Sequence, residues 1–215
     1  MGPPVRIVEY LDGGVSPFGR WFASLNAPAA AKVATAVYRL EQGHRANVKS
    51  VGQGVCEYKI DFGPGYRIYF GQEGDPKRAS PAISVSPRRA GPRIRREDRG
   101  NKRGRERMPV TRAFRTTIME RAAHDVRFRE RLLTEAIDQL LAGDLAAGKA
   151  MLRDYINATM TFERLARAMK KSSKSLHRML GPRGNPTAES LFGIIKTLQA
   201  HERVQLQVKS HRSAA

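Results

Sequence analysis

Between Val55 and Phe70 the chain alternates. Cys56, Tyr58, Ile60 and Phe62 fall on one side of an extended strand, and Val55, Glu57, Lys59 and Asp61 fall on the other. Gly63, Pro64 and Gly65 turn the chain, and Tyr66, Ile68 and Phe70 continue the apolar side opposite Arg67 and Tyr69. This pattern predicts a β-hairpin. Upstream, residues 5–11 suit a strand. Ser16-Pro17 caps and opens a helix that carries Phe18, Trp21, Phe22 and Leu25 at helical spacing. Pro28 starts a second helix with Val33, Ala36, Val37 and Leu40 on one face and Gly43 as its stop. Residues 1–71 therefore predict two helices covering an antiparallel sheet.

From residue 108 the period is helical, with expected spans at 111–123, 126–142, 144–157, 161–169, 173–180 and 187–201. Gly143, Gly181-Pro182 and the stretch from Gly184 to Pro186 punctuate them. Phe114, Ile118, Phe128, Leu132, Leu133, Ile137 and Leu141 are expected core positions, with a dimer face as the other reading. Residues 72–107 have four prolines and almost no apolar periodicity, which predicts a disordered basic linker. The fold class is α+β, in three parts: a small α+β domain over 1–71, the linker over 72–107 and an all-helical domain over 108–215.

Charge sharpens this picture. The 39 Lys and Arg against 20 Asp and Glu give +19, and 12 of those cations lie in the linker. The natural partner of such a chain is a polyanion, nucleic acid ahead of a membrane surface. No signal-like apolar segment and no run of about 18 apolar residues occurs, so a soluble cytoplasmic protein without a membrane partner is expected. Cys56 is the single cysteine, which excludes an internal disulfide framework and a Cys-cluster zinc site. It reads as a small core residue. The five histidines are scattered and never at ligand spacing, so no metal and no cofactor is expected; His124 and His201 read as surface or capping residues.

Two groups of residues carry chemistry. Alternation places Glu57, Lys59, Arg67 and Tyr69 on one surface, with Lys49 just before the hairpin. Cations there can hold a phosphate and the charge that builds as a ribose 2′-hydroxyl attacks it. A carboxylate or lysine can take the proton, and a tyrosine can stack on a base. The same pattern also suits a plainly solvated sheet face. Further on, Phe162, Leu165 and Met169 mark the buried side of one short helix. Lys170 and Lys171 make a turn, Ser172 is a candidate N-cap, and Leu176 and Met179 mark the buried side of the next helix. Ser173, Lys174, His177 and Arg178 are left facing outward. This is the spacing of a helix-turn-helix whose second helix enters a major groove, although two short basic helices in any helical domain would share it. Arg or Lys can pair with guanine, and Ser or His can contact bases or phosphate. Arg183, Asn185 and Thr187 follow in the loop and helix cap, where free amides suit a phosphate.

The segments VRIVEYL, SPFGRWFASL, AAAKVATAVYRLEQG and VKSVGQGVCEYKIDFGPGYRIYF together resemble the phage-type branch of the RelE/HigB toxin family over nearly all of residues 5–71. That resemblance implies an mRNA-cleaving ribonuclease of a type II toxin–antitoxin pair, acting on mRNA or at the ribosome. It sets Lys49, Glu57, Arg67 and Tyr69 at active-surface positions. Lys59 stands where the family more often has arginine, which keeps the charge and loses the bidentate fork. After Gly71 the family continues with an apolar strand and a final helix, and this chain does not. A shift of reading frame that ran on into the next gene accounts for the break, with Met108 as the former start of the second protein. The toxin-like part is then expected to be inactive or poorly folded.

The stretch TFERLARAMKKSSKSLHRMLGPRGNPTAESLFGIIKTLQ, with DYINATMTF before it, resembles the Xre/Cro-type helix-turn-helix of HigA-like addiction module antidote proteins. The likeness covers Met108 to about Val208. It implies an antitoxin that binds operator DNA and represses its own operon, usually as a homodimer. The combined expectation is a toxin–antitoxin fusion whose surviving activity is DNA binding. The competing expectation is an active mRNA interferase restrained by its fused antitoxin.

Overall fold

The computed structural model describes residues 5–52, 54–71, 82–83 and 111–209. The fold is α+β, and the chain divides into two compact units, residues 1–121 and 122–215. Most of the expected linker lies outside the described residues.

In the first unit, β1 (Val8–Tyr10) leads to α1 (Pro17–Ser24). Ser16 Oγ accepts from Gly19 N at 2.8 Å, and Pro17 sits in the first turn, where its missing N–H costs nothing. Phe18 and Phe22, one turn apart, stack with centroids 5.5 Å apart. Asn26 caps α2 (Ala27–Glu41) by accepting from Ala29 N at 3.0 Å. The alanines of α2 let its backbone pack closely, and Val33, Val37, Tyr38 and Leu40 are buried beside them.

The expected hairpin forms as β3 (Val55–Ile60) and β4 (Tyr66–Gly71), with Gly63 and Gly65 at φ 55° and 78°, the left-handed region that glycine enters without steric cost. A further strand, β2 (Val48–Gly52), pairs antiparallel with β3, so Lys49 stands in the sheet rather than ahead of it. Tyr58, Ile60, Ile68 and Phe70 are buried as expected, whereas Cys56 and Phe62 are half-buried. Val55, expected on the polar side, is also buried.

A second sheet has the order β5-β1-β6. β5 (Ala82–Ile83) runs parallel to β1, inside the stretch expected to be linker. β6 (Thr111–Ala113) is antiparallel to β1, pairing Val8 with Ala113 and Glu9 with Arg112. A helix was expected from residue 111. Instead α3 (Phe114–His124) begins after this strand, and the first unit extends to Arg121 rather than ending at residue 71. The reason is packing. Phe114 is buried edge-on against Tyr38, and Arg115 Nε donates to Glu41 Oε2 at 3.1 Å. Arg121 lies over the Phe22 ring and donates to the carbonyls of Phe22 and Leu25 at the C-terminal end of α1, the Phe22 carbonyl also accepting from Leu25 N at 3.3 Å.

In the second unit, α4 (Val126–Leu141) and α5 (Leu145–Thr159) form an antiparallel pair. Asp125 and Asp144 cap them, and Gly148 lets α5 approach Leu140, whose side chain would lie 2.7 Å from an added Cβ. Phe128, Leu132 and Leu133 are core; Ile137 is half-buried and Leu141 is 60% exposed at the end of its helix, so the expected core stripe stops short. Then come α6 (Phe162–Met169), α7 (Ser173–Met179) and α8 (Ala188–Glu202). Among the described residues no helix is long and apolar enough to cross a membrane.

Candidate nucleic-acid interface

The turn between α6 and α7 is built by its backbone. Lys170 takes φ 52° and ψ 40°, the left-handed conformation that ends a helix, and Lys171 N donates to Ala166 O at 3.0 Å. Ser172 Oγ then accepts from Ser175 N at 3.1 Å and starts α7. Phe162, Leu165 and Ala166 of α6 and Leu176 and Leu180 beyond it are buried, while Met169 and Met179, expected inside, are half-buried.

Lys174, His177 and Arg178 are exposed on α7. The His177 ring lies on the Phe162 ring, centroids 3.7 Å apart and planes at 23°, which fixes its plane against α6. Ser173, expected outward, is half-buried, and its hydroxyl donates to Glu163 Oε1 at 3.4 Å. Glu163 is held below the ordinary carboxylate range by its own backbone N–H at the helix start, with the Thr161 and Ser173 hydroxyls adding to it.

Arg183, Asn185 and Thr187 are exposed in the next loop and cap. Thr187 Oγ1 accepts from Ser190 N at 3.2 Å to open α8. Sequence reasoning missed what holds this loop. Lys149 on α5 is buried, and its Nζ donates to Gly184 O at 2.5 Å and Gly181 O at 3.3 Å. Arg153, one turn on, donates to Leu180 O at 3.4 Å. The available signal was a lysine between the small residues Ala147, Gly148 and Ala150, with the apolar Met151 following.

In the first unit, strand register sets Lys49, Glu57 and Tyr69 in one row across β2, β3 and β4, with Lys59 and Arg67 in the next. Arg67 Nη1 lies 2.6 Å from Glu57 Oε1. That hydrogen bond holds the Glu57 carboxyl below its usual range against the opposing effect of burial, and Tyr69 and Lys49 pull the same way. Burial, with Glu57 as neighbour, pushes the Tyr69 phenol up. The group can therefore offer an ionised carboxylate, a guanidinium and a protonated phenol on one surface. Lys59 instead pairs with Asp61 at 2.7 Å. Among the described residues no cluster of His, Cys, Asp or Glu could hold a metal ion.

No family model matches the chain, and no solved structure does. A curated protein of Haemophilus influenzae (strain ATCC 51907 / DSM 11121 / KW20 / Rd), named only as an uncharacterized protein, is 42% identical over 53 residues, 24% of this chain. The match spans about half of that relative, 54% of its length.

Proposed function

We propose that the chain is a toxin–antitoxin fusion that binds operator DNA through a helix-turn-helix formed by α6 and α7 and represses its own operon, as a homodimer in the cytoplasm. The observation that carries this reading is the outer side of α7. Lys174 and Arg178 stand exposed on a helix whose opposite side is anchored by Leu176, so the cations are free to approach a duplex while the helix stays fixed. Phosphate contacts supply much of the affinity, and base edges met by α7 supply the choice of sequence. A chain with net charge +19 suits such a partner. The test is a gel shift with the DNA upstream of the chain's own coding region at two salt concentrations. A retarded complex at that DNA but not at scrambled DNA supports the reading, and equal retention of both overturns it.

A second reading is favoured by the Glu57–Arg67 pair at 2.6 Å, set beside Lys49 and Tyr69. In it the sheet surface cleaves mRNA, free or on the ribosome, without a metal, and the fused antitoxin restrains it. Expression of residues 1–121 discriminates. Growth arrest with fragmented mRNA favours the enzyme; a harmless folded unit favours a toxin part without activity.

A further inference from the structure

A buried ammonium sits beneath the candidate interface. Lys149 is 7% exposed, and no ion pair to it occurs among the described residues. Taking a lone ammonium out of water is costly, and the cost is offset only where strong acceptors meet it. Here the acceptors are the Gly181 and Gly184 carbonyl oxygens, which bracket the loop that follows α7. Arg153 holds the preceding carbonyl, that of Leu180. Gly184 leaves no slack, because an added Cβ would lie 2.1 Å from Met179 O, so the loop lies directly on the last turn of α7. The two exposed polar side chains of this loop are Arg183 and Asn185. Burial lowers the tendency of Lys149 to hold its proton, and the neighbouring Arg153 adds to that.

We infer that Lys149, assisted by Arg153, is a positioning residue for DNA binding: it clamps the 181–184 loop so that Arg183 meets a backbone phosphate beside the groove occupied by α7. The inference rests on the DNA-binding reading above. It gives the loop a share of affinity and no share of sequence choice, because a phosphate carries no base identity. A purely structural lysine would alter stability and leave the number of phosphate contacts unchanged.

The experiment is a double-mutant cycle on the full chain, read as DNA affinity against salt concentration. Arg183→Ala is expected to weaken binding about tenfold and to reduce the salt slope by about one contact. Lys149→Met, which conserves volume, is expected to do the same with discrimination between sequences unchanged. The double variant is expected to lose no more than either single one. Should Lys149→Met fail to fold, Arg153→Gln takes its place in the cycle and is expected to give a smaller loss that is likewise non-additive with Arg183→Ala. Additive losses, or an unaltered salt slope in the lysine variant, overturn the inference while DNA binding itself stands. If Lys174→Ala and Arg178→Ala both leave binding unaffected, the underlying DNA reading falls and this inference falls with it.

Discussion

The ring of Phe114 meets the ring of Tyr38 edge-on, with centroids 5.3 Å apart and planes at 71°. The two residues are 76 positions apart, and both are fully buried. Tilted aromatic pairs of this kind add to the stabilisation from burial alone. Residues 111–121 are thus a structural part of the first unit. Phe114→Ala is expected to destabilise that unit by about 3–5 kcal/mol. Hydrogen exchange by mass spectrometry checks it: amides of α2 should lose protection while those of α5 keep theirs. Unchanged protection in α2 would contradict the packing described.

Glu9 on β1 is 2% exposed and faces Arg112 of β6, with Ser16 at the start of α1 and Thr117 and Glu120 on α3 around it. Burial holds its carboxyl above the ordinary value of 4.5, with Ser16, Thr117 and Arg112 opposing and Glu120 reinforcing. A raised value favours the neutral form in the folded state. The destabilising effect is therefore absent below the unfolded value, grows as pH climbs past it and is complete above the folded value. Glu9→Gln should accordingly be more stable than the natural chain near pH 8 and lose that advantage near about pH 4, below the unfolded value. Urea midpoints at the two pH values decide it; a variant less stable at pH 8 goes against this account.

Lys170 holds φ 52° at the end of α6. A side chain there crowds the backbone, and glycine does not. Lys170→Gly is expected to stabilise the second unit by about 0.5–1 kcal/mol, less than the full strain because glycine also gains freedom when unfolded. Thermal unfolding measures it, and a lower midpoint would show that the lysine side chain contributes more than its conformation costs.

For the sheet surface, Glu57→Gln removes the carboxylate and keeps the shape. If that surface cleaves RNA, the variant of the 1–121 fragment should lose cleavage by at least about a hundredfold, the usual contribution of a general base. The folded value of Glu57 is lowered, so its stabilising effect is present above the ordinary 4.5 and is lost as pH falls below it. The natural chain should lose stability on acidification more steeply than Glu57→Gln. Parallel acid profiles for the two would mean the Arg67 pair contributes nothing.

The elements that could be read from sequence carry their signals locally. Ser16-Pro17 and Pro28 open their own helices, and the alternation around Gly63-Pro64-Gly65 defines the β3–β4 hairpin without help from elsewhere. What could not be read depends on distant partners. Thr111 to Ala113 form a strand because the edge of β1 lies beside them, about a hundred residues back in the chain, and nothing in those three residues announces it. Leu141 fits the helical period of the α4 core but lies at the helix end, where that core stops. At the candidate interface, α7 and its cap were legible from spacing and Ser172. Lys149 was not, because its role is set by two carbonyls more than 30 residues away.

DNA affinity of the Lys174→Ala and Arg178→Ala variants tests the central claim most directly. Each replacement, measured by gel shift on the DNA upstream of the coding region, is expected to cost about 1–3 kcal/mol for a lost base contact and to narrow the gap between specific and scrambled DNA. Affinity and sequence preference unchanged in both variants would contradict the assignment of α7 as the helix that reads the duplex.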